Sequence, residues 1–271
     1  MKILIELYGA SSRRGLERAT RFYKAILKNE MIQMNSIEEA ELVKVWENSI
    51  RNISIAESNL LAMLCDSYGF SIDRILKGLR SKTKQFKIDI AYPGIGPGGH
   101  CIPEDIQYLI KKSENDTNVN VKLLKDSVKI NENMPQYLYN KLINKIVKNK
   151  ENIFEMKVLM LGKSYKSNSK DTRRSPALSL LNIIKKNCKN VKIVDPLVDN
   201  ELSNFSREEK SNIEEMLKEV DILILSCPHD IFLNIDFEEY KNIKYVVDCW
   251  NRLDYKKIKR NGINYIGVGI N

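Results

Sequence analysis

The run Pro93-Gly94-Ile95-Gly96-Pro97-Gly98-Gly99-His100-Cys101-Ile102-Pro103-Glu104-Asp105 places a thiol where it could act as a nucleophile. Four of the chain's twelve glycines, Gly94, Gly96, Gly98 and Gly99, fall within six residues just before Cys101. Glycine is used where backbone takes a positive φ or comes close to another group. Pro93 and Pro97 stiffen the approach. Ile102-Pro103-Glu104-Asp105 predicts the start of a helix, with Pro103 in the first turn and two carboxylates near the positive end of the dipole. A cysteine on a glycine loop at a helix N-terminus is in a setting that makes a thiolate available. The same run also reads as a structural turn with an incidental cysteine, because cysteine is often just a small buried hydrophobe.

Two further groups could do chemistry. Ser36 and Glu39 form a capping box, and from there a helix is predicted to about Tyr68, where Gly69 stops it. This helix is apolar around most of its circumference, which predicts burial. One polar stripe runs through it: Glu41, Lys44, Asn48, Asn52 and Asn59 share a face at ~100° per residue. The stripe is either solvated or an amine and amides presented to a site, and Lys44 and Asn48, one turn apart, could reach one ligand. The second group is the loop Gly162 to Arg174. It carries Lys163, Lys166, Lys170, Arg173 and Arg174, five cations within twelve residues. It suits either a phosphate group or a solvated basic loop.

The elements that hold these groups differ between the two halves of the chain. Residues 1–150 read as helical. Ile3-Leu4-Ile5 is too brief to specify structure, Arg13 to Asn29 is an amphipathic helix, and Glu30 to Asn35 is a short extended segment. A short helix from Ser71 to about Leu79 leads to a basic linker, Arg80 to Lys87. The helix after the cysteine loop continues to Glu114, and Val119 to Lys148 reads as one long helix bent at Pro135. Residues 151–271 read differently. Apolar strands are predicted at Lys157–Gly162, Val191–Pro196, Asp221–Ser226, Lys244–Asp248 and Asn264–Gly267, with helices after Ser175 and from Asn212 to Glu219. Strands alternating with helices imply a parallel, doubly wound sheet whose ligands bind at the strands' carboxyl ends. The expected class is therefore α/β: a helical domain followed by a Rossmann-like domain. No G-x-G-x-x-G follows a strand and no Walker loop is present.

Composition sets outer limits. The chain has 271 residues, room for two domains. A net charge of +9 suits an anionic partner, but the lysines are dispersed and also read as a solvated surface. A nucleic-acid motif and an aromatic platform are both missing, and no apolar run is long enough to span a membrane. Five cysteines, an odd number without a CxxC pair or zinc-like spacing, argue against a metal site and for a reducing, cytosolic setting.

Three of these segments together resemble the UDP-glucose/GDP-mannose dehydrogenase family, and most closely its UDP-N-acetyl-mannosamine dehydrogenase branch. They are Ala40-Glu41-Leu42-Val43-Lys44 with Glu47-Asn48, the run Pro93 to Asp105, and Tyr165-Lys166 with Asp171-Thr172-Arg173 and Ser175. His100 before the cysteine is what the N-acetyl-hexosamine branch leads one to expect. The resemblance implies NAD-dependent, four-electron oxidation of UDP-N-acetyl-mannosamine to the uronate through a thioester. It implies that Cys101 captures the aldehyde, that Lys44 and Asn48 stabilise the oxyanion, and that Asp105 acts as base or positions water. Lys166 would contact the diphosphate, Gly94, Gly96, Gly98, Gly99 and His100 the sugar side, and Arg173 the cofactor. It also implies a homodimer built on the long helix. The family's Asn-Glu pair reads Asn59-Leu60 here, and Trp250 stands where some relatives carry arginine. The family's N-terminal NAD-binding domain has no counterpart in this sequence, so a separately encoded one is an expected partner. A non-catalytic nucleotide-sugar-binding or assembly subunit, or a decayed fragment, is the alternative.

Overall fold

The structure, a computed structural model, describes residues 6–28, 31–86, 90–116, 119–198 and 213–270. The apolar start at Ile3–Ile5 and the segment ends expected at Asn29, Lys87 and Asn212 lie outside these residues.

The first half is built around α2 (Ile37–Tyr68). Ser36 Oγ accepts the Glu39 N–H at its start, and Gly69, at φ 72°, closes its end in the left-handed conformation. The reach-back bond of the cap goes to Asn35 N–H rather than to Ser36. Alongside α2 pack α4 (Cys101–Asp116) and α5 (Lys122–Glu132). α2 and α4 run antiparallel: Glu38 and Leu42 share a groove with Leu109 and Lys112, while Asn48 meets Asp105. The helix expected over Val119 to Lys148 is two helices, because α5 ends at Asn133 and α6 (Met134–Lys148) begins with Pro135 in its first turn. The expected linker from Arg80 is instead the last part of α3 (Ile72–Phe86).

The first residues add something the sequence pattern missed. β1 (Glu6–Tyr8) and β2 (Met31–Gln33) pair in parallel across α1 (Arg13–Ile26), a small βαβ unit. Gly9 is essential to its seat, since a Cβ there would lie 2.2 Å from the Ser36 carbonyl oxygen at the cap of α2.

The second half is the expected parallel sheet. β3 (Lys157–Leu161), β4 (Asn190–Val194), β5 (Ile222–Leu225), β6 (Tyr245–Asp248) and β7 (Asn264–Gly267) lie in the order β4-β3-β5-β6-β7. β3, β5, β6 and β7 are buried along almost their whole length, as continuous apolar strands between helices should be. α7 (Pro176–Lys185), a helix described over 213–217 (α8) and α9 (Tyr255–Arg260) flank the sheet.

One hydrophobic cluster runs from Ala62 through Leu138 and Leu142 into the sheet, so the two halves share a core. Polar contacts reinforce the seam. Ile72 N–H donates to Gly269 O at 2.9 Å, Gly269 N–H to Asp66 Oδ2 at 3.1 Å, and Lys141 Nζ to Gly267 O at 2.7 Å. No helix among the described residues is long and apolar enough to cross a membrane.

Candidate functional site

Cys101 is the first residue of α4 and is exposed. The first N–H groups of a helix have no intrahelical partner, and the dipole there favours developing negative charge. One turn further, Asp105 Oδ2 accepts a hydrogen bond from Asn48 Nδ2 at 2.6 Å. Glu104 holds two neighbouring side chains, with His100 Nε2 at 3.2 Å and Arg174 at 3.0 Å.

The amide stripe of α2 faces inward. Asn48, Asn52 and Asn59 are buried, together with Ser49, Ala56 and Ser58. Asn52 and Asn59 form one network. Asn59 Oδ1 accepts the Gly94 N–H at 2.9 Å, Asn59 Nδ2 donates to Asn131 Oδ1 at 3.0 Å, and Asn131 Nδ2 donates to Asn52 Oδ1 at 3.1 Å. The network therefore ties the start of the glycine run to α2 and α5. Lys44 is not part of it: the side chain is exposed and its Nζ lies 2.9 Å from Glu47. The large apolar residues of α2, expected inside, are partly the exposed ones, Leu42, Trp46, Ile50, Leu60 and Leu64 among them. Small and amide side chains allow α4 and α5 to approach α2 closely, so they take the inner face.

The glycine run is a seat for the second domain. A Cβ on Gly98 would lie 2.4 Å from Tyr165 Cβ, and one on Gly94 would lie 2.6 Å from the Trp250 ring. Gly99 N–H donates to Arg173 O at 2.8 Å. Gly94, Gly96, Gly98 and Gly99 are all buried, and protein covers their α-carbons where a sugar contact was expected. Lys166, Arg173 and His100 are exposed. Arg173 is fixed by Asp171 through Nε at 2.9 Å and a terminal nitrogen at 2.6 Å. The same guanidinium holds the Asp171 carboxyl down at about 2. Asp171 raises the Arg173 pKa in return, with smaller pulls from Tyr165 and Cys101. A cleft of about 450 Å³ opens beside this junction, lined by Asn52, Pro97, Pro103, Asn131, Arg174 and Pro176. Its wall does not include Cys101, Lys44 or Lys166.

At the carboxyl ends of β3, β4 and β5 lies a cluster that sequence reasoning passed over. Asp195 Oδ2 accepts the N–H groups of Lys163 at 2.6 Å and Ser164 at 3.1 Å, and lies 3.1 Å from His229 Nε2. Burial works against the Asp195 charge, but His229 and the backbone donors hold its carboxyl well below the usual range. Burial likewise opposes a charge on His229, while Asp195 and Cys227 favour one. Asn168 N–H is aimed at Nδ1 over 3.0 Å and would face a second ring proton, so the geometry holds the neutral Nε2–H ring. The signal in the sequence was an aspartate placed directly after an apolar strand, which only the fold could bring beside a histidine thirty-four residues on.

The central-domain model of the UDP-glucose/GDP-mannose dehydrogenase family matches residues 38–133, and that family's UDP-binding-domain model matches residues 159–255. The chain belongs to this family. Similar proteins include UDP-N-acetyl-D-mannosamine dehydrogenase of Methanococcus maripaludis, 28% identical over 280 residues that cover 99% of this chain and 62% of the relative. The UDP-D-ManNAc dehydrogenase structure from Pyrococcus horikoshii superposes with a TM-score of 0.83 at 26% identity, over 98% of this chain and 60% of that one. A UDP-glucose dehydrogenase from Pyrobaculum islandicum shares the fold at a TM-score of 0.81 and 22% identity, over 98% of this chain and 59% of that one. The chain thus spans about 62% of the length of such relatives.

The described residues do not make a dinucleotide cradle. The loop after β3 lacks the glycine fingerprint, and Asp195, directly after β4, is buried and turned onto that loop. An acidic residue near that place would bind a ribose hydroxyl in a dinucleotide site only if it were free to do so.

Proposed function

We propose that this chain supplies the thiol and the UDP-sugar half of a UDP-N-acetyl-mannosamine dehydrogenase, with the dinucleotide half provided by another domain, on a separate or longer polypeptide. The observation that carries the reading is the junction between Gly99 and Arg173, which brings the loop of the UDP-binding domain onto the cysteine loop. Lys166 contacts the diphosphate and Arg173 faces the NAD. NAD supplies hydride acceptance when bound. The chain's own residues do the rest. Cys101 Sγ adds to the sugar aldehyde: an S–C bond forms and the carbonyl electrons move to oxygen. The α4 N-terminus and Asn48 stabilise that charge. A part for Lys44 there requires Nζ to leave Glu47. At the acyl stage Asp105 positions water, the C–S bond breaks, and the acid leaves as the thiol is regenerated. Five free cysteines support a reducing, cytoplasmic setting.

The test uses the purified chain with UDP-N-acetyl-mannosamine and NAD. Weak sugar-nucleotide binding without NADH formation is expected. Adding a separately made dinucleotide-binding domain should restore turnover, and Cys101→Ala should abolish acid formation in the mixture. NADH formation by the chain alone would overturn the division of labour. Absence of sugar-nucleotide binding by calorimetry, with or without the added domain, would overturn the substrate reading.

A further inference from the structure

The sheet order β4-β3-β5-β6-β7 reverses its winding direction between β3 and β5. In open parallel sheets, ligands sit in the crevice outside the carboxyl ends at such a reversal. Here protein fills the base of that crevice. Ser164, Asp195, Cys227 and His229 come from the ends of β3, β4 and β5, and each is 1% exposed. His229 links them. Its Nε2–H lies 3.1 Å from both Asp195 Oδ2 and Ser164 Oγ, and its Nδ1 accepts the Asn168 N–H at 3.0 Å. Ser164 Oγ in turn donates to Lys166 O at 3.1 Å. Asn168 takes φ 56°, a conformation that side chains rarely adopt, and Asn168 Nδ2 donates to Asp230 Oδ2 at 2.9 Å. One imidazole therefore pins the loop 163–174 at its first turn and at its left-handed corner, on either side of Lys166.

We propose that His229 is a positioning residue for nucleoside-diphosphate binding: through Asp195, Ser164 and Asn168 it fixes the loop that carries Lys166, without touching the ligand. The inference rests on the reading of Lys166 as a diphosphate contact. A loop held in advance loses less conformational freedom on binding, and affinity rises accordingly.

Two substitutions in the full chain separate the two arms of the ring. His229→Gln keeps a donor near Nε2 and loses the acceptor for Asn168. His229→Asn keeps an oxygen near Nδ1 and loses the link to Asp195 and Ser164. Amide hydrogen exchange and calorimetric binding of UDP are the measurements. Exchange at Asn168 should quicken in His229→Gln, and exchange at Lys163 and Ser164 in His229→Asn, with the rest of the sheet unchanged. UDP should bind about tenfold more weakly to each, the effect of one lost hydrogen bond. Unchanged loop exchange in both variants, or faster loop exchange with unchanged UDP affinity, would overturn the proposal. A wild-type chain that binds no UDP would sink the diphosphate reading and the affinity claim with it, while the exchange pattern would still decide whether His229 orders the loop. Should both variants fail to fold, imidazole nitrogen shifts of the wild-type chain at neutral pH decide. The Nε2–H tautomer is expected, and a proton on Nδ1 would break the link to Asn168 and refute the role.

Discussion

Asn48 Nδ2 donates to Asp105 Oδ2 over 2.6 Å, joining the amide stripe of α2 to the helix that Cys101 begins. Asn48 is 4% exposed, so its amide has no ready exchange with water. A hydrogen bond to a charged group contributes about 1.5–3 kcal/mol. Asn48→Ala should destabilise the chain by about that amount. The urea midpoint should fall with the slope unchanged. In the mixture with a dinucleotide-binding domain, acid formation should fall further than UDP-sugar binding does. An unchanged midpoint would mean that the bond contributes nothing in solution.

Gly98 tests the seat between the domains. Any side chain there meets Tyr165 Cβ at 2.4 Å and the Arg174 carbonyl oxygen at 2.9 Å. Neither atom is the far end of a flexible chain. Gly98→Ala should cost about 1–3 kcal/mol, as overpacking does. Thermal unfolding would show it, and Cys101 should become more reactive towards an alkylating agent as the second domain's loop lifts. An alanine variant that melts with the wild type would contradict the close approach.

Much of this site was legible in the sequence, for physical reasons. The glycine run announced a close backbone approach, and Tyr165 and Trp250 lie over it. Continuous apolar strands announced a doubly buried parallel sheet, and five are present. What the pattern could not give was the direction in which α2 faces. Hydrophobicity placed its leucines inside, whereas the tight packing of α4 and α5 selects Asn48, Ser49, Asn52, Ala56 and Asn59. The network from Asn59 to Asn131 spans seventy-two residues, and no local periodicity encodes such a pair. β2 lies in the segment Glu30 to Asn35 that read as extended, but β1 and its pairing with β2 were missed, because a three-residue strand leaves no alternation to read.

The Asp171–Arg173 pair gives a prediction in pH. The guanidinium holds the Asp171 carboxyl at about 2, below the ordinary aspartate value. A depressed carboxyl contributes stability above its unfolded pKa of about 3.9 and loses it as pH falls through the folded value. The pair should therefore be intact at neutral pH and weaken below about pH 4. Carboxyl carbon shifts should place the Asp171 midpoint at about 2 in the wild-type chain. Arg173→Ala should return it to the ordinary range. A wild-type midpoint near 4, the ordinary value, would show that Arg173 is not held by Asp171 and is not fixed beside Cys101.

The outward face of α2 argues for a second copy of the chain. At about 100° per residue, Leu42, Trp46, Ile50, Leu60, Leu64 and Tyr68 fall on one side, and the buried asparagines fall on the other. Trp46 is 45% exposed, Ile50 49% and Leu60 45%, although each is large and apolar. The helix has 32 residues, about 48 Å of such surface at 1.5 Å per residue. Patches of this kind mark association surfaces. A homodimer through α2 would cover them and leave the cysteine loop, on α4, free to face its substrate. Light scattering across a range of concentrations should give the dimer mass. Trp46→Glu with Ile50→Glu should give the monomer, with the helical signal retained, because both side chains point away from α4 and α5. A wild-type monomer at high concentration would remove the dimer, and a double variant that stays dimeric would move the interface off α2.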